Sequence, residues 1–321
     1  MFWLLVNLLA RSAVVLGLGG LLCRFLKSGR ASQRHSLLLA SLALLLMWPV
    51  LAMCLPEVNW DVWPKQATEG TVTVQQMVVG RGGERSKDGF VLSPPLVWLM
   101  VAIGSMAPLL VAHIRLRLLL RDASRSRNDR LAEEVEDLSA ELELKRPPTI
   151  FVNAERIMPM TFGLWRASIV LPCDWETWTE GRRRIVLLHE LAHIARRDLA
   201  AQHFARLIAA CWWFQPLGWA TLRMLRRESE RACDERVIAC GVRATQYAEE
   251  LTAIAQEFAG NRSVAYAGIS MARADSLERR VRLILQMPNR KAGSFTLASL
   301  FCFLAVATVA VSAVTLQPQP V

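Results

Sequence analysis

No C-x-x-C pair occurs among the seven cysteines of this 321-residue chain, so neither a zinc ribbon nor a thioredoxin-like motif is supported. Cys23, Cys54 and Cys302 fall in apolar runs or at their ends, and Cys173, Cys211, Cys233 and Cys240 fall between them. All read as small apolar residues. No internal repeat marks a solenoid or propeller. No DNA-reading motif accompanies the net charge of +10, so direct nucleic-acid binding is not expected. Histidine is scarce, at five residues. Any pair at ligand spacing therefore carries weight.

Charge is missing from three long stretches: Ser36–Leu55, Leu92–Ala112 and Ala292–Val321. Hydrophobic residues make up 53% of the chain and the mean hydropathy is +0.27, values that point to a membrane protein. A spanning helix needs about 20 mostly apolar residues. The expected spans are 1–26, 36–56, 94–118 and 294–316, with Arg11 interrupting the first. Arg11 is expected to snorkel or to face the bundle interior. Ten largely apolar residues precede it, a poor fit to a cleaved signal peptide.

Lys and Arg give the orientation. Arg24, Lys27, Arg30 and Arg34 link the first two spans, and Arg115, Arg117, Arg121 and Arg125 follow the third. Arg279, Arg280, Arg282, Arg290 and Lys291 precede the fourth. These sides are expected to be cytoplasmic. The N-terminus, the loop 57–93 and the tail 317–321 are then extracytoplasmic. Trp60 and Trp63 in that loop read as interfacial anchors.

Residues 119–291 form the expected cytoplasmic domain, mainly helical with a small sheet, an α+β unit. Helical spacing runs from Arg130 to Leu144 and stops at Pro147-Pro148. "TIFVN" (Thr149–Asn153) and "ASIVLP" (Ala167–Pro172) read as strands, joined through Phe162-Gly163. A helix from Glu180 to about Asp198, with Thr179 as N-cap, is expected to continue through the apolar Leu199–Phe214 and to break at "QPLGW". Further helices are expected over Ala220–Cys240, Ala244–Phe258 and Ser276–Gln286.

The helix starting at Glu180 contains "HELAH". His189 and His193, four residues apart, project from one helix face, as two neighbouring ligands of a tetrahedral zinc ion do. Glu190 lies beside the metal, placed to move the proton of an activated water. A third protein ligand is needed. "RRESERACDERVIAC" offers Glu230 and Asp234, one turn apart on one face. Glu230 is the candidate ligand, and Asp234 the candidate acceptor for a ligand imidazole's second N–H. Glu228 and Glu235 point elsewhere if Glu230 faces the site. The bland alternative is a solvated acidic face.

"FGLWRASIVLP", "LLHELAHIARRD", "ERACDERVI" and "LERRVRLIL", in that order, resemble the BlaR/MecR type of membrane zinc metallopeptidase over Met1 to about Val314. The resemblance implies three spans, a cytoplasmic zinc domain and a fourth span. It also implies Zn2+ on His189, His193 and Glu230, with Glu190 as general base. Family members that sense β-lactams carry a penicillin-binding sensor after the fourth span. This chain stops a few residues past that span and has no S-x-x-K, so β-lactam acylation by that route is not expected.

The expected function is metal-assisted peptide hydrolysis in regulated proteolysis. By family analogy the substrate is a cytoplasmic repressor or the protease itself, with Asn261–Ala274 as a candidate self-cleavage segment. A substrate strand is expected beside Ser168, Ile169 and Val170. Two alternatives stand. An intramembrane site-2-type protease is disfavoured because no L-D-G segment occurs and basic flanks place HELAH outside the bilayer. A non-catalytic transducer would keep zinc only for structure.

Overall fold

The computed structural model of the chain describes residues 2–26, 30–54, 93–259 and 274–287. The expected fourth span (294–316), the tail (317–321), loop residues 57–92 and candidate self-cleavage residues 261–273 lie outside the described residues.

Two apolar helices open the chain, α1 (Phe2–Phe25) and α2 (Ala31–Cys54). The next apolar run forms α3 (Pro94–Ser105) and α4 (Ala107–Leu119), broken only at Met106. Pro108 has no N–H to donate back into the preceding turn, which interrupts the ladder there. Asn7–Phe25 and Pro95–Asp122 are long and apolar enough to cross a membrane.

A small mixed sheet follows. Its strands are β1 (Ala123–Arg125), β2 (Thr149–Asn153), β3 (Met160–Phe162) and β4 (Ser168–Leu171), in the order β1-β2-β4-β3. β2 and β4 run parallel, and the other two pairings are antiparallel. Every residue of β4 is buried, as a strand paired on both sides requires. The amphipathic helix α5 (Asp129–Glu141) buries Leu131, Val135 and Leu138 from one face.

Helix α6 (Glu180–Ala195) carries HELAH. The Thr179 hydroxyl caps it, accepting from the Arg182 N–H at 3.2 Å. Buried residues run without interruption from Ile185 to Ala192, so the helix passes through the middle of the protein. The sequence predicts a helix running on past Asp198, but α6 ends at Ala195. Arg197 takes the left-handed conformation (φ 53°), and the chain restarts in a new direction as α7 (Asp198–Cys211). "QPLGW" does separate two helices, yet α8 (Pro216–Ala239) begins inside it, because proline fits a first helical turn that has no donors to lose. α9 (Ala244–Ala259) and α10 (Ala274–Leu285) complete the described elements.

The helices enclose two cores. One joins α5, the sheet, α6, the end of α8, α9 and α10 around Leu138, Ile169, Leu187, Leu191, Val237 and Ile284. The other joins α1 and α2 to α7 and α8 through Leu38, Leu42, Ala205, Ile208, Trp212 and Leu225. The apolarity of Leu199–Phe214 thus has a structural reason: α7 packs on α2, within the core that α1 and α8 complete.

Candidate metal centre

α6 and α8 cross where their polar residues meet, and the sheet closes a third side. The imidazoles of His189 and His193 stand edge-to-face with centroids 4.9 Å apart, as the four-residue spacing requires. Glu230 approaches from α8, its Oε2 3.7 Å from His189 Nε2. One ligand atom from each of His189, His193 and Glu230 lies within 4.8 Å of the others.

The hydrogen-bond pattern says which atoms are left for a metal. His189 Nδ1 lies 3.0 Å from the Tyr247 hydroxyl, which donates to Asp234 Oδ1 at 2.6 Å. The ring therefore donates from Nδ1 and carries its lone pair on Nε2. His193 Nδ1 lies 2.9 Å from Asp198 Oδ2, which fixes the same tautomer. His189 Nε2 and Glu230 Oε2 are buried without a hydrogen-bond partner. Buried polar atoms without a hydrogen bond are rare, and these two face each other at 3.7 Å, Glu230 Oε2 keeping only an ion pair with Arg280. The donor set, two imidazoles and a carboxylate, suits zinc and leaves a fourth position open.

The supporting charges are concentrated in Asp234 and Arg280. The Arg280 guanidinium donates to both Asp234 oxygens at 3.1 and 2.7 Å, and its Nη1 lies 3.2 Å from Glu230 Oε2. Burial alone would raise the Glu230 carboxyl, but His189 and Arg280 outweigh it and hold Glu230 well below the ordinary carboxylate range. Asp198 is likewise lowered, against its burial, by the bond from His193 and by Arg196. Tyr247 moves the other way: burial, with Asp234 beside it, keeps the phenol protonated.

Glu190 is buried next to the cluster. The Thr161 hydroxyl of β3 donates to its Oε2 at 2.8 Å. Glu190, Thr161, His193 and Glu230 line a cleft of about 2440 Å³, walled by α4, α7, β3 and the β3–β4 turn.

His189, His193, Glu230 and Glu190 therefore come together. Asp234 reaches His189 through Tyr247, its own oxygen being 3.6 Å from Nδ1. Glu228 and Glu235 face α2 instead, binding Arg34 and the Ala31 N–H. The expected substrate strand does not survive. Ser168, Ile169 and Val170 are hydrogen-bonded on both sides, by β2 and by β3, and offer no free edge. The sheet's edge toward the cleft is β3, a strand too short to stand out by periodicity.

Thr161, Asp198, Tyr247 and Arg280 were not singled out by spacing. Asp198 had a signal, since it closes "HELAHIARRD", but on a continuous helix it would point away from His193.

Two imidazoles on one helix and a carboxylate from another, around a buried proton acceptor, make a site able to hold a metal ion. The chain belongs to the BlaR1 peptidase M56 family, whose model matches residues 9–284. It is 38% identical over 80 residues to the regulatory protein BlaR1 of Bacillus licheniformis, covering 25% of this chain and 13% of that protein. To the methicillin resistance mecR1 proteins of Staphylococcus aureus and Staphylococcus epidermidis it is 30% identical over 95 residues, 29% of this chain and 16% of theirs. The matched stretches thus span less than a fifth of those relatives' lengths.

Proposed function

We propose that this chain is a membrane-anchored zinc metalloendopeptidase acting in signal transduction, on a cytoplasmic repressor or on itself. Four spans with the metal centre on the cytoplasmic side form part of that reading. One observation carries it: His189 Nε2, buried without a hydrogen-bond partner, and Glu230 Oε2 converge with His193 beside a buried glutamate that is not needed as a ligand. The names of the relatives, a regulatory protein and methicillin resistance proteins, support the signalling role.

Zinc held by His189, His193 and Glu230 would polarise the scissile carbonyl and make water a nucleophile near neutral pH. Glu190 takes the proton from the attacking water and returns it to the departing amine. Thr161 donates to one oxygen of Glu190 and so turns the other toward the reacting atoms. Tyr247 and Asp198 hold the two rings in the tautomer that presents Nε2. A peptide lying in the cleft can add as a strand to β3, which places its backbone next to Thr161 and Glu190.

The test uses the full chain in detergent or nanodiscs with denatured casein as substrate. The expected result is about one zinc per chain and cleavage that Glu190→Gln abolishes while zinc is retained. Cleavage by a zinc-loaded Glu190→Gln protein would overturn the mechanism. Zinc uptake without cleavage by either form would favour the transducer reading.

A further inference from the structure

The first turn of α2 touches the site-bearing helices at three points. The Ala31 N–H reaches both Glu235 oxygens at 3.2 and 3.1 Å, and Arg34 Nε donates to Glu228 at 2.7 Å. The third contact differs. His35 Nε2 faces Asp198 Oδ1 at 3.8 Å, beyond hydrogen-bond range. Both atoms are buried and neither has another hydrogen-bond partner among the described residues.

Asp198 is therefore used unevenly. Oδ2 accepts from His193, from Arg196 at 3.3 Å and from the Cys233 thiol at 3.5 Å. Oδ1 has no hydrogen-bond partner among the described residues and faces His35. An approach of roughly 1 Å would bring that pair within bonding distance. Because the carboxylate is rigid, drawing Oδ1 toward α2 turns Oδ2 against His193 Nδ1, and the ring's Nε2 moves with it. Groups behind a ligand imidazole commonly change metal affinity about 10- to 100-fold.

We propose that His35, on the second apolar helix, is a positioning residue for the metal centre, acting through Asp198 on His193. The inference rests on the metal-site reading above. It makes α2 part of the centre: a shift of that helix against α7 changes how firmly His193 is held, with no movement of the sheet. Arg34 and Glu235 keep the same turn of α2 docked whichever way the His35–Asp198 pair stands.

The experiment measures Co2+ affinity of the full chain in nanodiscs, in competition with a chelator, together with the visible spectrum of bound Co2+. His35→Phe keeps a ring and removes the polar nitrogen. It is expected to weaken Co2+ binding by about tenfold and to shift the spectrum. His35→Gln restores an N–H donor and is expected to recover most of both. Arg34→Ala cuts a different α2 contact; with Ala31 still docked on Glu235 and the His35–Asp198 pair intact, it should lower stability and weaken binding much less than His35→Phe. The proposal is overturned if His35→Phe binds like wild type while Asp198→Asn binds weakly, or if His35→Phe and Arg34→Ala weaken binding alike. No Co2+ uptake by the wild type would instead sink the metal site itself, and this inference with it.

Discussion

Asp198 accepts a hydrogen bond from His193 at 2.9 Å although only four residues separate them along the chain. On an unbroken helix, five steps of about 100° would leave the two side chains about 140° apart. The left-handed Arg197 (φ 53°) turns the chain between them and brings the carboxylate back beneath the ring. A β-branched residue tolerates that conformation poorly, at about 1–3 kcal/mol. Arg197→Val should therefore lower both thermal stability and zinc affinity, whereas Arg197→Gly, which fits the turn, should preserve zinc affinity. Equal zinc affinity in the valine variant would show that the turn does not hold the ligand.

The Tyr247 hydroxyl bridges His189 Nδ1 and the Asp234–Arg280 pair. Tyr247→Phe leaves a buried N–H without its acceptor, at a cost of about 1–3 kcal/mol. Zinc binding should weaken about 10- to 100-fold. Chelator competition on the purified chain measures the change. An unaltered affinity would mean that the ring is oriented by packing alone.

Gly163 opens the turn between β3 and β4 at φ 90°, and a methyl there would sit 2.2 Å from the Arg166 carbonyl oxygen. Gly163→Ala must displace the turn, and β3 carries Thr161. Casein cleavage should fall about 10- to 100-fold through misplacement of Glu190 and the substrate edge. Zinc content should stay at the wild-type level. Loss of zinc together with activity would place the defect in the folding of the centre instead.

Burial pushes the Cys233 thiol up to about 12 and raises Tyr247 well above an ordinary phenol. In the unfolded chain these groups ionise from about pH 9 and pH 10 upward. Over that range the native state holds more protons than the unfolded one, so stability decreases as pH rises. The metal-free protein should be at full stability below about pH 9 and lose up to about 1.4 kcal/mol per pH unit per group as pH climbs toward 12. Unfolding followed by tryptophan fluorescence at successive pH values gives the slope. Cys233→Ala should flatten it, and a slope unchanged by that substitution would remove Cys233 as its source.

Much of the centre could be read from one dimension because its key residues obey local periodicity. His189 and His193 share a face at spacing four, as do Glu230 and Asp234, and Thr179 caps the helix that bears the first pair. What could not be read depends on breaks or on distance. Asp198 acts only because α6 stops short of where apolar spacing would carry it. Tyr247 and Arg280 come from helices whose packing no local pattern reveals. Three residues of β3 are too few to show alternation, and the continuous apolar run of the neighbouring β4 marks the middle of a sheet rather than an edge.

Trp212, Ile208 and Ala205 share a core with Leu38 and Leu42, so the half that carries the candidate metal centre is packed on the leading hydrophobic helices. Excising 119–291 as a water-soluble enzyme would strip one side of α7 bare, and that face would then drive self-association. Biochemistry on this protein therefore calls for amphiphile throughout, from extraction to assay.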